Sequence, residues 1–254
     1  MSRSNRHIEL AVIGGTGLYQ FPGLENIERH AVDTPYGHPS DAVVVGQIGA
    51  RRIAFLARHG ESHTIPPHRV NYRANVWALH HIGARRVIGV NAVGGIRHDM
   101  GPRVIAVPDQ IIDYTSERLT SFSDVAGTHV RHIDFSEPYT ARLRTDLLTA
   151  AGKAGIAAID GGCYGATQGP RLETRAEIAR MRRDGCDLVG MSGMPEAALA
   201  RELDLEYASL SLVANWAAGC GPAPDTAISL PEIYANLHTA AAEVSRIIGA
   251  LLSL

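Results

Sequence analysis

Short apolar runs alternate along this chain with longer stretches in which apolar residues recur at helical spacing. The short runs predict strands over residues 8–13, 86–90, 104–107, 161–165, 188–191 and 207–213, and a hairpin formed by residues 43–48 and 52–57. The amphipathic stretches predict helices over residues 72–82, 140–151, 174–183, 195–202 and 230–252. Because strands alternate with helices, we expect an α/β fold in which helices cover the faces of a central sheet.

Composition favours one compact unit. The 254 residues are 45% hydrophobic and 20% charged, so the chain can bury a sizeable core, and its length is within the range of α/β folds that form one domain. We therefore predict one domain over residues 1–254. A polar stretch over residues 116–131 is predicted to be a long surface loop, and such a loop inside a compact domain usually has a function.

Charge and cysteine content limit the partners and the compartment. The formal net charge is −2 and the arginine pairs are scattered, so nucleic acid is not an expected partner. Cys163, Cys186 and Cys220 are widely spaced without a CxxC pattern, which predicts neither a disulfide framework nor a zinc site. No apolar segment approaches the roughly 18 residues of a membrane span. We expect a soluble protein of the reducing cytoplasm, with no membrane partner.

Several predicted strands end in residues that suit anion binding, and ligands of α/β folds gather at such ends. Gly14-Gly15-Thr16-Gly17 follows the first strand. Its glycines permit close approach of the backbone and Thr16 offers a hydroxyl, although a plain tight turn is an equal alternative. Because a complete GxGxxG pattern is missing, dinucleotide binding is disfavoured.

Arg58-His59-Gly60 follows the second strand of the hairpin, with His63 and His68 nearby. Arginine presents a planar fork to phosphate oxygens, and a neighbouring histidine adds a donor. The histidines also suit a metal, but no carboxylate ligand pattern accompanies them, so we predict none. An exposed, solvated Arg-His pair is a further alternative. Asn91-Ala92-Val93-Gly94-Gly95 closes the next strand and by itself predicts a plain turn.

Two further motifs are Gly169-Pro170-Arg171-Leu172-Glu173 and Gly190-Met191-Ser192-Gly193-Met194-Pro195-Glu196. In this order, the five motifs resemble those of the trimeric purine nucleoside phosphorylase and methylthioadenosine phosphorylase family, over residues 13–237. The resemblance implies a mixed β-sheet flanked by helices, a homotrimer, and cleavage of the N-glycosidic bond of a purine nucleoside by inorganic phosphate. It implies phosphate as co-substrate, with no metal and no organic cofactor.

The resemblance also implies roles for individual residues. The implied phosphate ligands are Thr16, Arg58, His59, the Ala92 backbone amide and Ser192, and Met191 would line the ribose. Arg58, His59 and Asn215 are the predicted catalytic residues. A fixed phosphate dianion stabilises the cationic C1′ of the transition state, while hydrogen bonds stabilise the departing purine. Relatives commonly carry Thr at the positions of Val90 and Gly193, and the missing hydroxyl at Gly193 puts one phosphate contact in doubt.

The implied base site predicts a 6-oxopurine. The adenine-specific branch carries carboxylates at the positions of Asn215 and Ala217, whereas the 6-oxopurine branch resembles this chain in its Asn215 and Glu173. The Asn215 amide can donate to O6 and accept from a protonated N7, and ionised Glu173 can accept from N1–H. Adenine lacks N1–H and reverses the polarity at position 6, so it would leave these groups unpaired. Apart from the resemblance, Asn215 also suits a turn at the end of a strand, and Glu173 suits the start of a helix.

The implied sugar site predicts a 5′-methylthio group. Related nucleoside phosphorylases place a histidine near the 5′-hydroxyl, where this chain offers Leu230, Ile233 and Tyr234. An apolar wall favours methylthio, since its burial contributes roughly 1–2 kcal/mol and an unpartnered buried hydroxyl costs about as much. The alternative is that Leu230 and Ile233 are plain helix core. His132 lies in a segment that resembles one reaching the 5′ pocket of a neighbouring subunit.

These residues together predict phosphorolysis of 5′-methylthioinosine to hypoxanthine and 5-methylthioribose 1-phosphate. An inosine/guanosine phosphorylase stays open, because Tyr234 or His132 could serve a 5′-hydroxyl. A methylthioadenosine phosphorylase and a non-catalytic nucleoside-binding protein are the remaining alternatives.

Overall fold

The computed structural model describes residues 7–19, 21–124 and 129–254. Its strands are β1 (Leu10–Gly14), β2 (Glu25–His30), β3 (Val43–Ile48), β4 (Arg51–Ala57), β5 (Arg86–Gly95), β6 (Ile105–Val107), β7 (Gln110–Asp113), β8 (Ala158–Asp160), β9 (Cys163–Ala166), β10 (Leu188–Gly190) and β11 (Glu206–Trp216). Its α-helices are α1 (Tyr72–His81), α2 (Ala141–Lys153), α3 (Arg175–Arg183), α4 (Glu196–Glu202) and α5 (Leu230–Leu251).

The strands form one mixed sheet that branches at β5. The main path runs β2-β3-β4-β1-β5-β10-β9-β7, while β11 pairs with β5 and β6, and β6 pairs with β8. β1 is parallel to β4 and β5, β11 is parallel to β5, and β10 is antiparallel to β5. This arrangement confirms the predicted α/β class with a central mixed sheet flanked by helices.

Alternate residues of the strands supply two apolar layers, one on each face of the sheet. In β1, Ala11 and Ile13 join the layer that contains α1 and α4, whereas Leu10 and Val12 join the layer that contains α2 and α5. Successive side chains of a strand point to opposite faces, so one short apolar run can serve both layers.

Most predicted elements form close to their expected bounds. The predicted hairpin is present as antiparallel β3 and β4, and the five predicted helices begin and end within two residues of the expected positions. The sequence pattern does not predict β2, β7 or β8. The edge strand β2 shows why, because its side chains are largely exposed and it lacks the apolar run that marks a buried strand.

Two strands extend beyond their predicted ends, and both corrections concern the site. Residues 91–95, predicted as a turn, continue β5, and β11 runs on through Asn215 to Trp216 instead of ending at Val213. The two strands pair in parallel along their lengths, with a register shift between Val213 and Asn215. Each segment stays extended because the other supplies partners for its backbone N–H and carbonyl groups.

The predicted loop over residues 116–131 includes residues 125–128, which lie outside the described part of the chain. Its described residues form neither helix nor strand, as expected. They are not confined to the surface, however, because Phe122 is 8% exposed and its N–H donates to Glu202 Oε2 at 2.8 Å. The loop is anchored to the core at this point, which corrects the expectation of a purely surface loop.

Candidate active site

A cavity of about 250 Å³ lies where β1, β4, β5 and β11 end. These strands run parallel, so their carboxyl ends meet at one edge of the sheet, and β10 leads residues 190–192 back alongside β5. Of the site residues predicted from the sequence, all but His132 line the cavity. Those that line it are Thr16, Arg58, His59, Ala92, Glu173, Met191, Ser192, Asn215, Ala217, Leu230, Ile233 and Tyr234. Motifs that are distant in the chain therefore converge on one place.

The glycine turn after β1 packs tightly against the charged part of the cavity. A β-carbon at Gly15 would lie 2.6 Å from the Val90 carbonyl oxygen and 2.9 Å from Arg58 Nη1. The Leu18 N–H closes a turn by donating to the Gly15 carbonyl at 3.0 Å, and Thr16 within this turn lies on the cavity wall. A side chain at Gly15 would push the guanidinium out of its position.

Arg58 is fully buried and paired with Glu196, a residue to which the sequence motifs assign no role. Its Nε donates to Glu196 Oε2 at 2.8 Å, its Nη2 donates to Oε1 at 2.9 Å, and its Nη1 donates to the Val90 carbonyl at 2.9 Å. Burial by itself lowers the pKa of Arg58, but the charge and hydrogen bonds of Glu196 outweigh burial and raise it. Arg58 is therefore a permanent cation, and the alternative of an exposed, solvated arginine is wrong.

The ion pair is fixed from several sides. The Tyr207 hydroxyl donates to Glu196 Oε1 at 2.7 Å. A β-carbon at Gly89 would lie 2.2 Å from Tyr207 Oη and 2.7 Å from Glu196 Oε1, so β5 needs a glycine there. Arginine carries five N–H groups, of which Arg58 uses three in these bonds. The remaining two take no part in these bonds, and Arg58 lines the cavity, although Glu196 offsets part of its positive charge.

His59 is held in one tautomer beside this arginine. Only 6% of its surface is exposed, and its Nδ1 lies 2.9 Å from the Ile65 carbonyl oxygen. Because a carbonyl only accepts, Nδ1 carries the proton and donates. Burial, followed by the charge of Arg58, lowers the pKa of His59 to about 4. The ring is therefore neutral near pH 7 and its Nε2 is an acceptor, which differs from the donor expected from the sequence.

A buried polar chain leads from the cavity into the sheet. The Ser192 hydroxyl donates to Asn91 Oδ1 at 2.9 Å, and Asn91 Nδ2 donates to Ser209 Oγ at 2.8 Å. The Ser209 and Ser211 hydroxyls lie 3.1 Å apart, and both residues are fully buried, as is Asn91. A satisfied buried network holds its members rigidly, so it fixes Ser192 on the cavity wall.

The predicted base-binding pair comes from different elements. Asn215 follows the register shift of β11, and its Nδ2 donates to the Trp216 carbonyl at 2.7 Å. Its Oδ1 and second N–H stay available to a ligand. Glu173 lies just before α3, and its Oε1 accepts from the Thr167 hydroxyl at 2.6 Å. Ala217 adds a small apolar surface to the lining of the same cavity.

The residues assigned to the sugar lie in the first turn of α5. Leu230 is 56% exposed, so the alternative that it is plain helix core is wrong. Ile233 fits both the predicted wall of the sugar site and the alternative of helix core, because it lines the cavity and also packs on the apolar layer of α2 and α5. Tyr234 is 54% exposed and lines the cavity as well. This turn of α5 therefore forms the solvent-facing rim of the cavity.

His132 is the one predicted site residue that the structure does not bring to the cavity of its own chain. It is exposed and lies outside the helices and strands. The sequence prediction placed it near a neighbouring subunit, and that contact stays a prediction.

Arg118 is a residue that the sequence prediction missed. Its guanidinium donates to the backbone carbonyls of Thr167, Gln168 and Met194, and to the Tyr72 hydroxyl. It thereby joins the loop that carries Glu173 to the loop that carries Ser192. Neither Arg118 nor Glu196 has a local sequence signal for its role, because the partners are distant in the chain.

Among the described residues, no group of three or more His, Cys, Asp or Glu side chains is arranged to hold a metal ion. None of the described helices is long and apolar enough to cross a membrane. The three cysteines are free thiols.

The convergence of these motifs agrees with a comparison against protein families. A family model described as the phosphorylase superfamily matches residues 9–253. The chain belongs to the phosphorylase superfamily. The matched region includes all the residues that line the cavity.

Individual relatives in the superfamily match at nearly full length. A "Probable S-methyl-5'-thioinosine phosphorylase" of Xanthomonas campestris pv. campestris is 57% identical over 98% of this chain and 98% of its own length. A protein of the same name from Pseudomonas syringae pv. tomato is 51% identical over 96% of this chain and 98% of its own. Among solved structures, methylthioadenosine phosphorylase from Schistosoma mansoni in complex with adenine has a TM-score of 0.92, at 29% identity, over 97% of this chain and 91% of that chain.

Proposed function

We propose that this phosphorylase cleaves 5′-methylthioinosine with inorganic phosphate, releasing hypoxanthine and 5-methylthioribose 1-phosphate. The relatives at 51–57% identity that carry the name S-methyl-5'-thioinosine phosphorylase support this substrate. The observation that carries the proposal is that Asn215 and Glu173 line the same cavity as the apolar Leu230 and Ile233. The first pair suits a 6-oxopurine, and the second suits a methylthio group.

In the proposed reaction, the bond between C1′ and N9 breaks and its electrons leave with the purine, while a phosphate oxygen forms a new bond to C1′. Thr16, the Ala92 amide and the two remaining N–H groups of Arg58 are the proposed donors to phosphate. The Ser192 hydroxyl would join them by turning its proton from Asn91 Oδ1 to the phosphate. Neutral His59 would accept from the proton that a phosphate monoanion or dianion carries. A preorganised anion beside C1′ stabilises its developing positive charge.

At the base, the proposed role of Asn215 is to donate to O6 as negative charge builds on the purine and, once a water molecule has protonated N7, to accept from N7–H. Glu173 would accept from N1–H. No carboxylic acid is proposed to protonate N7, so Asn215 stabilises the leaving group without itself giving up a proton. Ala217 fits this scheme, because a carboxylate there would favour a 6-amino group.

Ribose would lie over Met191, and the 5′ substituent would face the first turn of α5. The hydroxyl of Tyr234 on the same rim is the observation that keeps an inosine/guanosine phosphorylase as the second candidate, since it could accept or donate to a 5′-hydroxyl.

We further propose that the chain is one domain over residues 1–254 and works as a cytoplasmic homotrimer. The trimer is supported by the resemblance of the His132 segment to one that contacts a neighbouring subunit. The free thiols of Cys163, Cys186 and Cys220 support a reducing compartment. Phosphate is the proposed co-substrate, with no organic cofactor or metal.

A substrate panel tests the function. Purified protein is assayed with phosphate and 5′-methylthioinosine, 5′-methylthioadenosine, inosine or guanosine, and release of free base is measured. We expect kcat/KM for methylthioinosine to exceed that for methylthioadenosine by at least about a hundredfold, because adenine leaves polar groups of the site unpaired. Omitting phosphate is the control and should abolish release. Turnover of methylthioadenosine with methylthioinosine inert would refute the proposal, and inosine turned over equally well would favour the second candidate.

A further inference from the structure

The Glu173 carboxylate is held on one side by a threonine. The Thr167 hydroxyl lies 2.6 Å from Glu173 Oε1 and 3.3 Å from the Gly190 carbonyl oxygen. A hydroxyl has one proton to donate, and both neighbours are acceptors, so the shorter contact takes it. A distance of 2.6 Å is typical of a charge-assisted bond from a hydroxyl to a carboxylate. Oε2 remains free to accept from another donor.

Thr167 is itself fixed by the sheet. Its backbone N–H donates to the Gly190 carbonyl at 2.8 Å, which continues the parallel pairing of β9 with β10 by one residue. Arg118 Nη2 donates to its carbonyl at 3.1 Å and to the Gln168 carbonyl at 2.9 Å. The donor is therefore anchored to regular structure, whereas Glu173 lies at the end of the following loop.

Thr167 does not touch the substrate cavity. It lines an adjoining cavity of about 570 Å³, and Glu173 stands between the two because it lines both. Thr167 can therefore influence a bound base only indirectly, and its shortest side-chain contact with a residue of the substrate cavity is the one to Glu173. A glutamate with three rotatable bonds at such a boundary could otherwise turn its carboxylate into the adjoining cavity.

We propose that Thr167 is a positioning residue for base specificity: its hydroxyl holds Oε1 of Glu173 so that Oε2 faces the N1–H of a 6-oxopurine. This inference rests on the proposed function, because it assigns Thr167 to the base selection made there. The held carboxylate can only accept hydrogen bonds. It therefore binds the N1–H of a 6-oxopurine and repels the lone pair that adenine carries at N1.

The test replaces the hydroxyl and follows selectivity. Thr167→Val, which keeps the shape, and the smaller Thr167→Ala should each lower the ratio of kcat/KM for methylthioinosine over methylthioadenosine by about tenfold or more, the usual effect of losing a hydrogen bond to a charged group. Thr167→Ser keeps the donor and should stay within about threefold of the unchanged protein. KM for phosphate should be unchanged in all three, because the loss is confined to the base.

A double-mutant cycle separates this role from a general structural one. In a Glu173→Ala background, Thr167→Val should change the ratio by less than about twofold, since the side chain through which it acts is gone. Thr149→Val is the matched control, because the Thr149 hydroxyl bonds a backbone carbonyl on the exposed face of α2.

Two outcomes would overturn the inference: a ratio unchanged in both Thr167→Val and Thr167→Ala, or an equal loss in Thr167→Ser. The unchanged protein separates failure of this inference from failure of the proposed function. If the unchanged protein does not cleave methylthioinosine, the proposed function fails. If it cleaves methylthioinosine but substitution of Thr167 leaves the selectivity ratio unchanged, only the positioning role fails.

Discussion

Arg58 and His59 are neighbours in the chain but differ in charge. Arg58 stays cationic because a buried carboxylate compensates it, whereas His59 is neutral because burial and the adjacent guanidinium both oppose its protonation. The Nδ1 bond to Ile65 then sets which nitrogen holds the single proton. A cation beside a neutral acceptor suits a phosphate that still carries a proton, and two adjacent cations would not offer that acceptor.

The low pKa of His59 predicts a specific loss of stability in acid. The folded pKa of about 4 lies below the ordinary value of 6.5, so the unfolded chain binds the extra proton between these values and stability falls as pH drops through that window. We expect His59 to contribute a loss of about 2 kcal/mol in the free energy of unfolding between pH 8 and pH 5. Urea unfolding at both pH values measures it.

The comparison variant is His59→Gln, in which the ring is gone and the other histidines are kept. Its unfolding free energy should fall less between pH 8 and pH 5, by roughly the same 2 kcal/mol. An equal fall in both proteins would show that His59 does not titrate as its surroundings indicate.

At the scale of elements, the cavity depends on how the end of β4, the start of α4 and the start of β11 meet. Arg58 follows β4, Glu196 begins α4 and Tyr207 lies in β11, and the Glu196 carboxylate accepts from both of the others. Gly89 of β5 leaves the room for this contact. The Glu196 carboxylate therefore joins three elements next to the cavity that Arg58 lines.

Removing the carboxylate should be costly. Glu196→Ala leaves the buried Arg58 charge uncompensated, and breaking a buried ion pair on one side destabilises a protein by about 3–5 kcal/mol. Urea unfolding at equal protein concentration measures this loss. Glu243→Ala, on the partly exposed surface of α5, is the control and should change stability by less than about 0.5 kcal/mol. Similar effects in the two variants would contradict a structural role for the ion pair.

At the scale of the whole molecule, the cavity has an apolar rim that is open to solvent in the single chain. Leu172 is 39% exposed, Leu230 56% and Tyr234 54%, and all three line the cavity. Exposed apolar groups around a binding site are typical of a surface that another molecule covers. In the proposed trimer, a neighbouring subunit would bring His132 to this rim.

The trimer can be tested by mass and by complementation. Light scattering after size-exclusion chromatography should give three times the mass of the chain. His132→Ala and Asn215→Ala should each be weakly active with methylthioinosine, and mixed trimers of the two should regain activity at sites that combine an intact Asn215 with an intact neighbouring His132.

Mixed trimers are prepared by joint refolding or co-expression, and each variant treated alone is the control. A monomeric mass would contradict the trimer. A trimer whose mixtures stay as inactive as the separate variants would contradict the placement of His132 in a neighbouring site.

Most of the fold could be predicted because it rests on local patterns. Buried strands such as β1 and helices such as α5 carry their own periodicity, and the hairpin of β3 and β4 is marked by its turn. Residues 91–95 could not be predicted as strand, because pairing with the distant strands β11 and β10 keeps them extended. The edge strand β2 was missed for the related reason that exposed strands lack an apolar run.

The sequence by itself determined which chemistry could be assembled: motifs that match a family in order, an amide and a carboxylate suited to a 6-oxopurine, and an apolar stretch near the sugar. Only the tertiary structure decided how the groups are charged and held. Glu196 beside Arg58, the Ile65 carbonyl on His59 and Thr167 on Glu173 are contacts between distant segments, formed where parallel strands end together. Residue identity is local, whereas burial and hydrogen-bond partners, which set charge and orientation, belong to the fold.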